Sequence, residues 1–272
     1  MNRITLRVAG YLHALATTLA LCAAVSPAPT FAQVAVGQGA PHIAAAADLQ
    51  FALPEIVAAF ARSGGTQLKL SFGSSGNFAR QIVQGAPFEL FLAADERYVA
   101  QVIAAQRADG IGTHYATGRL ALFLPQGSPI SAGRDLADFA AAVNDGRLKR
   151  LALANPEHAP YGRAAREVLE QRGLWLAVQD KLALGDNAAQ AAQFAASGAA
   201  QAGLIPLSLA RAPEMARRGA YVTLPENWHT PLRQTLVLVK GAGPTARAFA
   251  EFLRGPQARE ILARNGFGLP AP

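Results

Sequence analysis

Short apolar runs alternate with amphipathic helical patterns from residue 42 to the C-terminal end of the chain. His42–Ala47 reads as a strand and Leu49–Arg62 as a helix, its apolar residues at 49, 53, 56, 57 and 60 spaced for one helical face. Further strands are predicted at Gln67–Phe72, Leu90–Ala93, Arg119–Leu124, Leu151–Ala154, Lys181–Leu184, Ala202–Ile205, Ala220–Leu224 and Thr235–Val239. Helical patterns fill the gaps at Asn77–Gln84, Glu96–Ala105, Leu136–Val143, Gly162–Gln171, Asn187–Ser197, Thr245–Arg254 and Pro256–Arg264. Strand–helix alternation at this spacing predicts an α/β fold with mostly parallel sheets flanked by helices. About ten strands in about 240 residues crowd a single sheet, so two lobes are expected.

The stretch from Leu70 to Ala93 narrows the chemistry. A strand opens through Gly73-Ser74-Ser75-Gly76 into a helix, and a Gly-Ala-Pro turn leads to the next strand. A helix start leaves backbone N–H groups unpaired and carries partial positive charge. Glycine admits an anion close to the backbone, and the two serines add hydroxyl donors. Such a loop can hold an oxyanion without lysine or arginine, although an ordinary capping turn has the same letters. Three other strand ends open in the same way, at Ala47-Asp48, Pro160-Tyr161-Gly162 and Asp186-Asn187. Ligands of open α/β sheets bind beyond the carboxyl ends of the strands, so the four together would make a cage of donors around one small anion.

Residues 1–32 read as a signal peptide. Arg3 and Arg7 form a basic start, Val8–Val25 is mostly apolar, and Thr30-Phe31-Ala32 offers small residues at the −3 and −1 positions before Gln33. The apolar stretch is short for a membrane span of about 20 residues, and the Leu19-Ala20-Leu21-Cys22 sequence puts leucine where a lipoprotein signal wants a small residue. Removing the segment takes away the only cysteine and leaves 23 basic against 18 acidic residues, a net charge of +5. A disulfide-free chain of this size must be held by its core, and it is long enough to bury one. The arginines are scattered over helices, with no basic tract interleaved with aromatics, so nucleic acid is not an expected partner.

Enzyme signatures are absent from the letters. Gly73–Gly76 is one residue short of the G-x-S-x-G elbow. His42, His114, His158 and His229 lack metal-ligand spacing, so neither a bare-metal site nor a cofactor is expected. Gly241-Ala242-Gly243-Pro244 resembles a dinucleotide fingerprint, but only 26 residues follow Ala246, too few for the rest of that unit.

Ala44-Ala45-Ala46-Ala47-Asp48-Leu49, the stretch Phe72–Ala94, Asn155–Gly162 and Leu253–Ala258 with Gly266-Phe267 together resemble the periplasmic molybdate-binding proteins that serve ABC importers. The resemblance implies a two-lobe periplasmic-binding-protein fold of type II with the ligand in the interlobe cleft. Lobe I would comprise 33–117 and 232–272 and lobe II 118–231, with crossings near Thr117–Arg119 and Pro231–Gln234. It implies a periplasmic monomer that binds molybdate or tungstate and partners a membrane permease. It also implies oxyanion contacts from Ser75 and from backbone N–H groups at Tyr161 and Asn187, beside which the Ser74 hydroxyl of the same loop is a further candidate donor.

Two positions depart from the family. Its first binding serine falls on Asp48, and a tyrosine near a later strand end falls on Pro206, which has neither hydroxyl nor N–H to offer. A carboxylate about 5 Å from a dianion would be repelled by roughly 6 kcal/mol at an effective dielectric of about 20. Asp48 is therefore expected to turn away and cap its own helix; the alternatives are that it is protonated or accepts from a protonated ligand. Two rival functions stay open on sequence grounds: a binding protein for sulfate or phosphate, and an enzyme acting on phosphate or sulfate esters with Asp48 and Ser75 as its reactive pair.

Overall fold

The structure, a computed structural model, describes residues 39–271; the leader segment lies outside them. Ten strands form two five-stranded sheets among the described residues. The first sheet takes β1 (His42–Ala46), β2 (Lys69–Gly73), β3 (Leu90–Ala93), β4 (Ala108–Gly118) and the much later β10 (Leu232–Val239), in the order β2-β1-β3-β10-β4. The second takes β5 (Leu120–Pro125), β6 (Leu151–Ala154), β7 (Leu182–Gly185), β8 (Ala202–Pro206) and β9 (Gly219–Thr223), in the order β7-β6-β8-β5-β9. The first sheet carries α1 (Ala52–Arg62), α2 (Ser75–Val83), α3 (Glu96–Ala104) and the two C-terminal helices. The second carries α4 (Ala137–Asn144), α5 (Pro160–Gln171), the short α6 (Trp175–Val178), α7 (Ala188–Ala196), and the single-turn α8 (Leu207–Ala210) and α9 (Pro213–Ala216). The C-terminal pair is α10 (Pro244–Arg254) and α11 (Pro256–Arg264). This is the two-lobe type II fold.

The sheets are mixed where mostly parallel ones are predicted, and the chain path explains it. β1 pairs in parallel with β2 and β3, whereas β10 runs antiparallel to β3 and β4. The second sheet repeats the scheme, with β6 parallel to β7 and β8, and β5 antiparallel to β8 and β9. Both antiparallel strands are those entered directly from the other sheet: Gly118 leads through Arg119 into β5, and β9 returns into β10. A strand entered at the face where its neighbours end can only run against them. That face is common to both sheets, so the strand ends and helix starts of both lobes meet there.

Each sheet buries its own apolar core. Ile43, Leu53, Ile56 and Phe249 pack one face of the first sheet, Phe78, Phe91 and Val99 the other, and Phe123, Phe139, Leu153 and Val168 belong to the core of the second. β4 is the strand that the pattern misses. Its sequence, ADGIGTHYATG, lies at a sheet edge with two register shifts against β10. Gly110 and Gly112 take positive φ there, and Ile111 is 89% exposed. An edge strand need not bury alternate residues, so the period-two signal disappears.

Candidate functional site

The helix that opens from the Gly-Ser-Ser-Gly loop begins two residues earlier than its apolar pattern, at Ser75. Ser74 is its N-cap: the Ser74 hydroxyl oxygen accepts from the Asn77 N–H at 3.3 Å, one of the unpaired donors of a first turn. The same oxygen lies 3.0 Å from His158 Nδ1 on the other lobe. Ser75 is fully buried, and its Oγ accepts from the Ala94 N–H at 2.9 Å, tying the helix start to the end of β3.

Across the cleft, α5 starts at Pro160, where the missing N–H costs nothing. Tyr161 follows in the first turn, where backbone N–H groups lack intrahelical carbonyls. Asn187 caps α7, its Oδ1 accepting from Ala189 and Gln190 at 3.0 and 3.1 Å. A small cavity between the lobes is lined by Asp48, Ser74, Ser75, Tyr161 and Ala188 among others. Four of the five candidate residues therefore share one cavity, and at the α7 start it is Ala188, one residue beyond Asn187, that faces it. Lysine and arginine are absent from the lining and Asp48 is its one carboxyl, so an anion there would be held by neutral donors and helix starts of both lobes.

Asp48 is placed differently from the capping expectation. The segment read as one helix from Leu49 is broken into a 3-10 turn, Ala47–Leu49, followed by α1, and neither start has a side-chain cap. Asp48 sits inside that turn, 1% exposed. Its Oδ2 accepts from Gln234 Nε2, and Oδ1 has no partner among the described residues. Ser208 Oγ donates to its backbone carbonyl at 2.8 Å. Burial pushes the Asp48 carboxyl up to about 6, against the downward pull of the Gln234 hydrogen bond and of the nearby Tyr161 hydroxyl and N–H groups of residues 48 and 49. Burial, reinforced by the Asp48 charge, also raises the Tyr161 and Tyr115 phenols well above their ordinary range.

The residues that sequence reading missed here are Gln234, Tyr115 and Ser208. Tyr115 donates to Gln234 Oε1 at 3.0 Å, and Gln234 Nε2 also lies 3.4 Å from the Tyr161 hydroxyl. The available signal was Gln234 itself, an amide beside the apolar run of β10, but a strand begun at Thr235 leaves it in a loop. Pro206 ends β8 and precedes α8; it is Ser208, two residues on, that touches the site.

Besides the Ser74–His158, Ser208–Asp48 and Gln234–Tyr161 contacts, the lobes are joined by three more. The Gly76 N–H donates to the His158 carbonyl at 3.0 Å, Asn77 Nδ2 reaches Asp186 at 3.3 Å, and Arg163 pairs with Asp95 at 2.6 Å. The first of these admits only glycine. A Cβ at position 76 would stand 2.6 Å from the His158 carbonyl oxygen.

Comparison with known proteins agrees with this geometry. The model of the bacterial extracellular solute-binding protein family matches residues 41–268. The molybdate-binding protein ModA of Azotobacter vinelandii is 34% identical over 232 residues, covering 84% of this chain and 89% of that protein. ModA of Rhodobacter capsulatus is 35% identical over 239 residues, covering 86% of this chain and 91% of that one. The solved structure of the Azotobacter vinelandii periplasmic molybdate-binding protein superposes with a TM-score of 0.77 at 28% identity, over 85% of this chain and all of that one. The chain thus belongs to the bacterial extracellular solute-binding proteins, among the ModA-type substrate-binding proteins, which are binding proteins and not enzymes.

Proposed function

We propose that this protein captures a tetrahedral oxyanion, molybdate or the nearly identical tungstate, between its lobes. It then delivers the anion to the membrane permease of an ABC importer, working as a periplasmic monomer. The lobes that close on the anion are 33–117 with 232–272 and 118–231, hinged where the chain crosses near Arg119 and Pro231. One observation carries the reading: helix starts from both lobes, bearing Ser74, Ser75 and Tyr161, line a single buried cavity without a lysine or arginine. Neutral donors aimed from helix starts suit an anion that must be released again. The oxygens of the anion take the hydrogen bonds, so no side chain ligates the metal.

Calorimetry and thermal melts with molybdate, tungstate, sulfate and phosphate test the reading. A ligand that binds only the folded protein raises its melting temperature. Molybdate and tungstate are expected to do so, and the absence of any shift at millimolar oxyanion would reject the proposal. Ser75→Ala is expected to lower molybdate affinity by about tenfold or more, since a hydrogen bond to a charged group contributes about 1.5 kcal/mol at least. An unchanged dissociation constant would reduce Ser75 to a tie between α2 and β3.

A further inference from the structure

We propose that Asp48 binds the oxyanion as a neutral acid, so that each captured anion brings one proton into the site. This rests on the reading of the interlobe cavity as the anion site. The geometry specifies where that proton goes. Tyr115 donates to Gln234 Oε1, which fixes the Gln234 amide with its Nε2 directed at Asp48. Oδ2 of Asp48 is then committed as an acceptor. Oδ1, buried and without a partner among the described residues, belongs to a residue lining the cavity. A proton on Oδ1 turns the carboxyl from a repelling charge into one more O–H donor, able to complete its hydrogen bonding on an oxygen of the anion.

The groups packed around Asp48 offset its charge only through neutral donors. The 3-10 turn packs against α7, β2 and α8, the last through Ser208. α5 brings the Tyr161 phenol, and Tyr115 of β4 is reached through Gln234 of β10. No cation is among them. Burial already raises the Asp48 carboxyl to about 6 in the empty site, so at pH 7 and above it is still mostly carboxylate there; a dianion alongside it raises it further and draws the proton in. The balance is simple: the carboxylate takes one proton from solvent as the anion enters, no covalent bond to the anion forms, and the proton leaves on release. The His158 imidazole lies 3.0 Å from Ser74 Oγ, a residue of the lining, so a variant at His158 serves as the control.

The test is calorimetric titration of sodium molybdate into the folded protein at about pH 7, 8 and 9, in buffers of differing ionisation heat. Molybdate stays doubly charged over that range, so a linked proton must come to the protein. The expected result is uptake of about one proton per anion and an affinity falling about tenfold per pH unit. Asp48→Asn, with a fixed N–H donor in place of the acid, should bind without proton uptake, with flat pH dependence, and more tightly than the native protein at pH 8. Asp48→Ser should likewise bind without uptake. His158→Gln should retain the uptake whatever its effect on affinity. Proton-neutral, pH-independent molybdate binding by the native protein would overturn the proposal while leaving the anion-site reading standing. Weakened binding by Asp48→Asn at every pH, with phosphate preferred over molybdate, would also overturn it, since the carboxylate would then be an acceptor for a protonated anion. No binding of any of the four oxyanions between about pH 5 and 9 would overturn both.

Discussion

Gly76→Ala is expected to weaken molybdate binding by about 30-fold or more while leaving the ligand-free protein at least as stable. Position 76 lies in the first turn of α2, where alanine is a better helix former than glycine. The nearest atoms to the added methyl all belong to His158, 2.6 Å to the carbonyl oxygen and 3.0 Å to Cα. Backbone cannot step aside as a flexible side chain can. Forcing such an overlap costs about 1–3 kcal/mol, and losing the Gly76 N–H bond to His158 adds about 1 kcal/mol. The whole penalty falls on the closed arrangement of the lobes, so it appears as lost affinity. Calorimetry beside a thermal melt separates the two quantities. An unchanged dissociation constant would mean that the anion is held without the Gly76–His158 contact.

The second large effect is on stability. Asp48→Asn should stabilise the ligand-free protein by about 3 kcal/mol at neutral and higher pH, and by only about 0.5 kcal/mol near pH 4. The sign follows from the direction of the shift. The folded carboxyl titrates at about 6 and the unfolded one at 3.8, so the folded state holds its proton more tightly. Below 3.8 the acid form is present in both states and Asp48 costs nothing. As pH rises from there to about 6, the unfolded chain gains by ionising first, and stability is lost progressively; above 6 the loss is complete. Asparagine fills the same space, can still accept from Gln234, and never ionises. Denaturant unfolding of both proteins at about pH 4 and pH 8 measures the difference. An equal gain at both would show that ionisation of Asp48 is not its source. The same residue thus costs stability in the empty protein, a pattern expected of a group kept for its ligand.

Much of the fold was legible because its signals are local. Leu90–Ala93, Leu151–Ala154 and Pro256–Arg264 stand where the pattern predicts them, since a short apolar run or a helical stripe records which faces are buried. Boundaries slipped where a cap decides them: Ser74 pulls the α2 start back to Ser75, and Pro160 does the same for α5. β4 was invisible because an exposed edge strand writes no alternation. The direction of β5 and β10 was invisible too, because no residue records from which sheet its strand was entered.

The sequence by itself determined the strand–helix alternation, the four polar helix starts and the donors they offer, all properties of neighbours along the chain. Capping, too, is local, which is why Asn187 is an N-cap as its letters suggest. Asp48 has the same letters and a different role. Its proton affinity is governed by exclusion of water and by Gln234, 186 positions away, and its carbonyl by Ser208, 160 positions away. Only the tertiary structure brings these together, because the free energy of a charge depends on the dielectric and the dipoles around it, and those are supplied by whichever distant residues the fold sets beside it.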